Sequence, residues 1–263
     1  MPAVHLTKTR ALLDELIAVA DKDARTVTAD PMLAVTHAWF MRCIDCVRAA
    51  LLLDDHGQSG VAYPLVRSAI EHAVGIFWRH ATGPDALAAL ARSHKRWAAN
   101  IRTAINTSNQ LEQQAGRKDW SPALDAVFDK VEAELLPEGS VDGERKIENR
   151  FKVARKFDLY VTWLSETATS HASEESANPY LVAQSDRYVL LRSPRTAADT
   201  LVLRCASIAV AAFRAMGDAC GSDVWRANVD RLDDELGRAI AAAVDAGILD
   251  PTPREDWLSR FDC

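Results

Sequence analysis

Cysteine is scarce in this chain. Five cysteines in 263 residues make an odd number and are too few for a disulfide scaffold. Cys43 and Cys46 stand three apart inside a helical pattern, with no second C-x-x-C to complete a zinc site. They read as reduced core thiols. Glycine (11) and proline (10) are also sparse, which excludes a collagen-like or low-complexity chain. No stretch sustains a two-residue alternation, so a sheet is not expected. A basic excess is missing as well. The formal charge is −6, and a protein that coats DNA is usually basic, so no stable DNA binding is expected.

Long hydrophobic runs are lacking too. The first ten residues have no apolar core of signal-peptide length. The most apolar run, Leu201 to Phe213, is short and carries Arg204, so no membrane span is expected and the setting reads as cytoplasmic. Several chemical signatures are absent from the sequence. There is no G-x-x-x-x-G-K-[ST] and no strand-linked G-x-G-x-x-G for phosphates. There is no H-E-x-x-H and no paired E-x-x-H for metals. Ser165 lacks a G-x-S-x-G context and does not read as a nucleophile. No cofactor and no metal are expected.

What is present is helical periodicity throughout. Hydrophobic residues make up 48 % and charged residues 26 %, a globular composition. A first helix runs from about Thr7 to Ala20. Asp30-Pro31 is an N-cap followed by proline at the first helical position, and opens a helix over Met32–Asp55. Its face of Phe40, Met41, Ile44, Val47 and Leu51 also carries His37 and Arg48. A glycine loop leads to Val61–His80, and Thr82-Gly83-Pro84 ends that helix. Another helix runs from Asp85 to about Gln113. Leu87, Leu90, Ala91, Trp97, Ala98, Ile101 and Ile105 form its apolar stripe with His94 within it, and Arg92, Lys95, Arg96 and Arg102 form a basic side. Ser121-Pro122 starts a helix ending near Pro137. Glu144–Lys156 is the most basic segment. Asp158–His171 is helical, with Tyr160, Leu164, Thr167 and His171 on one face. Ala172–Arg195 reads as an ordered loop with a short extended piece at Tyr188–Leu191. Helices over Ala197–Ala219 and Val224–Ala246 follow. The expectation is one all-α domain over residues 1–263, a bundle of seven or eight helices, with Met32–Asp55 and Val61–His80 as an antiparallel central pair.

Val61–His80 is the stretch around which the rest is organised. On a wheel of about 100° per residue, Val66, Ile70, Ala73 and Phe77 share one stripe. Arg67, Glu71 and His72 are set into it, and Arg67 and Glu71, four apart, can pair. Polar groups thus recur on faces that should be buried: His37, Arg48, Arg67, Glu71, His94 and His171. Isolated buried charges cost several kcal/mol, of order 3 or more, so these groups are expected to gather. Arg67, Glu71 and His171 are expected within side-chain reach, with His37, His94 and Tyr160 as neighbours. His72 points about 100° away from Glu71.

Arg67-Ser-Ala-Ile-Glu-His72 fits Arg-x4-His and resembles the signature of the HEPN superfamily, helical proteins that include ribonuclease toxins of abortive infection and toxin–antitoxin systems. The resemblance implies that Arg67 contacts phosphate or the transition state and that His72 is an acid–base group. Ser68 departs from the polar Asn, Asp or His common at that position in active members. A regular helix also sets Arg67 and His72 about 140° apart, so one shared phosphate needs a distortion or a dimer partner. A second resemblance spans about Thr36 to Ala215. Arg-Ser-x-x-Glu at Arg67–Glu71, followed by Tyr160, Leu164-Ser165 and His171-Ala-Ser173, is similar to an uncharacterised bacterial helical family known only as a domain of unknown function. It implies that Arg67, Glu71 and His171 belong together, and it implies no activity.

Three functional classes follow. One is a HEPN-like, metal-independent ribonuclease in stress or phage defence, with Arg67, Glu71, His171 and His72 catalytic and His37, Tyr160 and His94 binding. RNA would be its partner, guided by Glu144–Lys156. The others are a non-catalytic helical interaction module, and a small-ligand or anion binder using the same pocket. Ala197–Ala219 is apolar on two sides and the last helix can cover one of them, so a homodimer through the C-terminal helices is expected.

Overall fold

The computed structural model describes residues 2–23, 30–116, 123–170, 181–184, 187–190 and 198–249. Among these the fold is all-α, with nine α-helices and one small hairpin. They are α1 (Pro2–Asp23), α2 (Pro31–Asp55), α3 (Tyr63–Thr82), α4 (Asp85–Gln114), α5 (Ala123–Ala133), α6 (Ile147–Ala154), α7 (Phe157–Ser170), α8 (Ala198–Cys220) and α9 (Arg226–Asp245). The start and stop chemistry accounts for several bounds. The Asp30 carboxylate accepts from Met32 N at 2.8 Å, with Pro31 in the first turn. Gly83 takes a positive φ of 68° and separates α3 from α4, a conformation that costs glycine little. The extended piece is larger than expected: β1 (Leu181–Gln184) pairs antiparallel with β2 (Arg187–Leu190).

The chain divides into two compact units, Met1–Phe77 with Asp158–Cys263, and Trp78–Phe157. The boundaries fall inside α3 and at the start of α7.

In the first unit α1, α2, α8 and α9 form the core, with α2 closest along α8 and α1 along α9. Phe40 of α2 meets Phe213 of α8 edge-on at 4.8 Å and stacks on Trp225 at 5.6 Å. Aromatic pairs of this kind add about 1 kcal/mol beyond their burial. Cys43, Cys46 and Cys205 are buried free thiols, and burial pushes Cys205 up to about 12. The partner of α2 therefore differs from expectation: it is α8. Helix α3 meets α2 where Gly75 faces the Trp39 ring, so closely that a Cβ there would lie 3.1 Å from it. Arg48 is a correction. It lies about 80° from Phe40 on the α2 wheel, at the rim of the stripe, where it is exposed and pairs with Asp21 and Asp45.

Helix α8 passes the length and composition test for a membrane crossing over Thr200–Cys220, longer than the sequence run suggested. Its two stripes are nonetheless covered: Leu201, Cys205, Ile208 and Ala212 are buried on one, and on the other Ala209 and Phe213 are buried and Val202 half-buried. The cover anticipated from a second protomer comes from α1, α2 and α9 of the same chain.

In the second unit α4 packs on α5, and Arg102 ties them through Asp129 at 2.6 Å and Glu132 at 2.9 Å. The segment between α5 and α6 is fixed by a buried carboxylate. Glu144 accepts from Arg92 at 2.7 Å and forms an ion pair with Arg96 at 2.7 Å. Burial alone would raise this carboxyl; the two arginines outweigh it and hold it at about 2. Gly143, with φ 82°, passes so close to Trp78 that a Cβ would sit 2.6 Å from the indole nitrogen. That indole donates to Asp142 O at 2.7 Å. The basic side expected of α4 is therefore spent within the unit: Arg92 and Arg96 bind Glu144, Arg102 binds α5, and Lys95 donates to Glu134 O.

Candidate functional site

Arg67 and Glu71 lie one turn apart on α3, and Arg67 Nε donates to Glu71 Oε1 at 3.0 Å. Trp163 of α7 donates its indole N–H to the same oxygen at 2.9 Å. The guanidinium carbon of Arg67 lies 5.4 Å from the centre of the Trp163 ring, within cation–π range. Tyr160 stacks on that ring from one turn earlier, 5.9 Å between centres and 16° from parallel. The α7 spacing places Leu159, Trp163, Glu166 and Ser170 on one face. The side chains of Arg67 and Glu71 are 26 % and 35 % exposed, so this is a rim cluster, held from beneath by Trp163. A concavity of about 220 Å³ opens beside it, lined by Pro64, Arg67, Ser68, Glu71 and Ser170.

A second, deeper pair joins α7 to α8. Glu166, three residues beyond Trp163 and fully buried, accepts from Arg204 of α8. The Arg204 guanidinium reaches over the Tyr63 ring, 5.9 Å to its centre. Tyr63 is one turn before Arg67 on α3. Burial pushes the Glu166 carboxyl up to about 7, with Arg204 pulling the other way. Burial also raises the Tyr63 hydroxyl, again opposed by Arg204. Two carboxylates and two arginines thus bind α3, α7 and α8 to one another. The buried one is poised to exchange a proton near neutrality.

The expected site residues fare differently. Arg67, Glu71 and Tyr160 come together. His72 turns away from Glu71: its Nδ1–H donates to Ser68 O at 2.6 Å, within its own helix. That bond keeps a proton on Nδ1, so that in the neutral ring Nε2 is the acceptor. His37 lies half-buried beside Phe40, 6.5 Å between rings. The burial expected of His94 is a correction: it is exposed and stacks at 5.8 Å on Trp97, which shares its stripe and is itself 56 % exposed. His171 lies outside the described residues.

Trp163, Glu166, Arg204 and Tyr63 escaped the sequence reading. The signal for Arg204 was a cation in the most apolar helix. The signal for Glu166 was a carboxylate seven residues after Leu159, two turns along the buried stripe.

No curated protein and no solved structure matches the chain. Residues 33–188, more than half of the chain, match a protein family described as a family of unknown function, DUF5677. That span runs from α2 to β2 and includes Arg67, Glu71, Trp163 and Glu166, while Arg204 lies beyond it. The chain belongs to the DUF5677 family.

Proposed function

We propose that this protein is a non-catalytic helical interaction module, and that its Arg67 cluster holds helices together. One observation carries this reading: Arg67 is clamped between the Glu71 carboxylate and the Trp163 ring, while His72 is turned onto Ser68 O. A nuclease centre needs both groups aimed at one phosphate. The ligand-binding reading draws less support, because the concavity at Arg67, about 220 Å³, is smaller than ligand clefts, which start near ~300 Å³. The ribonuclease reading has one observation in its favour, the His72 tautomer that leaves Nε2 as a base. A cytoplasmic setting and a homodimer complete the proposal. The dimer rests on the frequency of two-fold assemblies, and a mass near 28.9 kDa in light scattering removes it.

The test is growth on induced expression, wild type beside Arg67→Ala and Arg67→Lys. Equal growth of all strains is expected, with less soluble protein for Arg67→Ala. Toxicity of the wild type, relieved by either substitution at unchanged soluble yield, overturns the proposal.

A further inference from the structure

The second unit carries an aromatic surface that its own packing does not use. Trp97 on α4 is 56 % exposed, yet it is ordered against a neighbour: the exposed His94 ring stacks on it at 5.8 Å and 18°. Beside this pair is a shallow concavity of about 430 Å³, lined by Ser93, Arg96, Trp97, Asn100, Glu144 and Arg145. That volume falls in the range of ligand clefts.

Charge is arranged around it in one sense. Glu144 is buried and answered by two guanidinium groups, Arg92 and Arg96, so this trio has a net positive charge. Arg145 is exposed, and among the described residues it has no acidic partner. The unit as a whole holds 14 Lys and Arg against 11 Asp and Glu, within a chain whose formal charge is −6. The cationic surplus is therefore local to the unit that bears the exposed indole. The Glu144 bonds and the 2.8 Å bond from Arg150 Nε to Gly143 O fix the backbone next to Arg145, so the surface is preformed.

A stacked aromatic platform, a cation beside it and neutral donors such as Asn100 are the parts used to bind unpaired bases along a phosphate backbone. Duplex DNA offers no base face to such a platform. We propose that the Trp97–His94 surface binds single-stranded nucleic acid, one base stacking on the indole and Arg145 meeting the adjacent phosphate. This rests on the interaction-module reading and names its partner.

The full-length protein is titrated into labelled twelve-residue oligo(U), oligo(dT) and a duplex of the same length, with fluorescence anisotropy read at low salt and with EDTA. Binding of one or both single strands is expected, with the difference between them reporting recognition of the 2′-hydroxyl. Trp97→Ala is expected to weaken binding about tenfold or more, and Trp97→Tyr to retain most of it. Arg145→Glu is expected to weaken binding and to flatten its salt dependence. Both side chains are exposed, so unchanged circular dichroism and melting are expected for each variant. Absence of binding, equal affinity for the duplex, or a Trp97→Ala affinity within twofold of wild type overturns the proposal. Oligo(dT) lacks the 2′-hydroxyl and is inert to transesterification. Its binding therefore tests the platform alone, whereas cleavage of oligo(U) contradicts the non-catalytic reading alone.

Discussion

Glu166 is a fully buried carboxyl whose surroundings oppose its charged form. A carboxyl moved from its ordinary value of 4.5 to about 7 by burial stays protonated in the folded chain at pH values where the unfolded chain has released its proton. Its contribution to stability is full below about pH 4.5 and is lost as pH rises through about 7, a swing of about 3 kcal/mol. The Arg204 pair lies on the same carboxylate, so the swing belongs to the pair. Denaturant unfolding at pH 5 and pH 7.5 is expected to show the wild type less stable at the higher pH, and Glu166→Gln is expected to narrow that gap by most of its size. An unchanged gap in Glu166→Gln contradicts the assignment. The Arg67–Glu71 pair was legible in the sequence because two residues four apart on a helix must be neighbours. Glu166–Arg204 was not, since their meeting depends on which helices converge, and no local pattern encodes that.

At the scale of the element, the helices followed from caps, breakers and apolar spacing: Asp30-Pro31 and Gly83 act where their chemistry says, and of the α9 stripe of Val229, Leu232, Leu236 and Ile240 the first three are buried while Ile240 is exposed. Helix α1 proved longer than its apolar stripe, running from Pro2, because its first turns are held by charge. Glu235 of α9 is fully buried and accepts from His5 at 2.7 Å, Lys8 at 2.8 Å and Arg238 at 2.9 Å. Burial would raise this carboxyl, but the bonds from Lys8, His5 and Arg238 outweigh it and lower it to about 2. Its stabilisation is present above the ordinary value of 4.5 and is lost as pH falls toward about 2. Glu235→Gln keeps the shape and removes the charge, at a cost of about 1–3 kcal/mol. Hydrogen exchange is expected to quicken first in the opening turns of α1, with α4 and α5 unchanged. Uniform quickening throughout would show that Glu235 does not act on α1 in particular. The β1–β2 hairpin was foreseen only in its second strand, because two four-residue strands carry too little alternation to register.

For the whole molecule, the chain separates into an apolar helical core with buried carboxylates at Glu166 and Glu235, each answered by an arginine, and an inserted unit with a cationic surplus and an exposed indole. The net charge of −6, read over the whole chain, concealed that division. A sum over all residues says nothing about where charge lies once the fold distributes it. His94 and Trp97 were placed in the core for the same reason: periodicity shows that residues share a face, but not whether anything covers it. The most direct measurement incubates the purified protein with labelled single-stranded RNA in EDTA and follows RNA length over hours. The account predicts that the RNA is bound and remains full length. Metal-independent cleavage by the wild type, lost in both His72→Ala and Arg67→Lys, would contradict it.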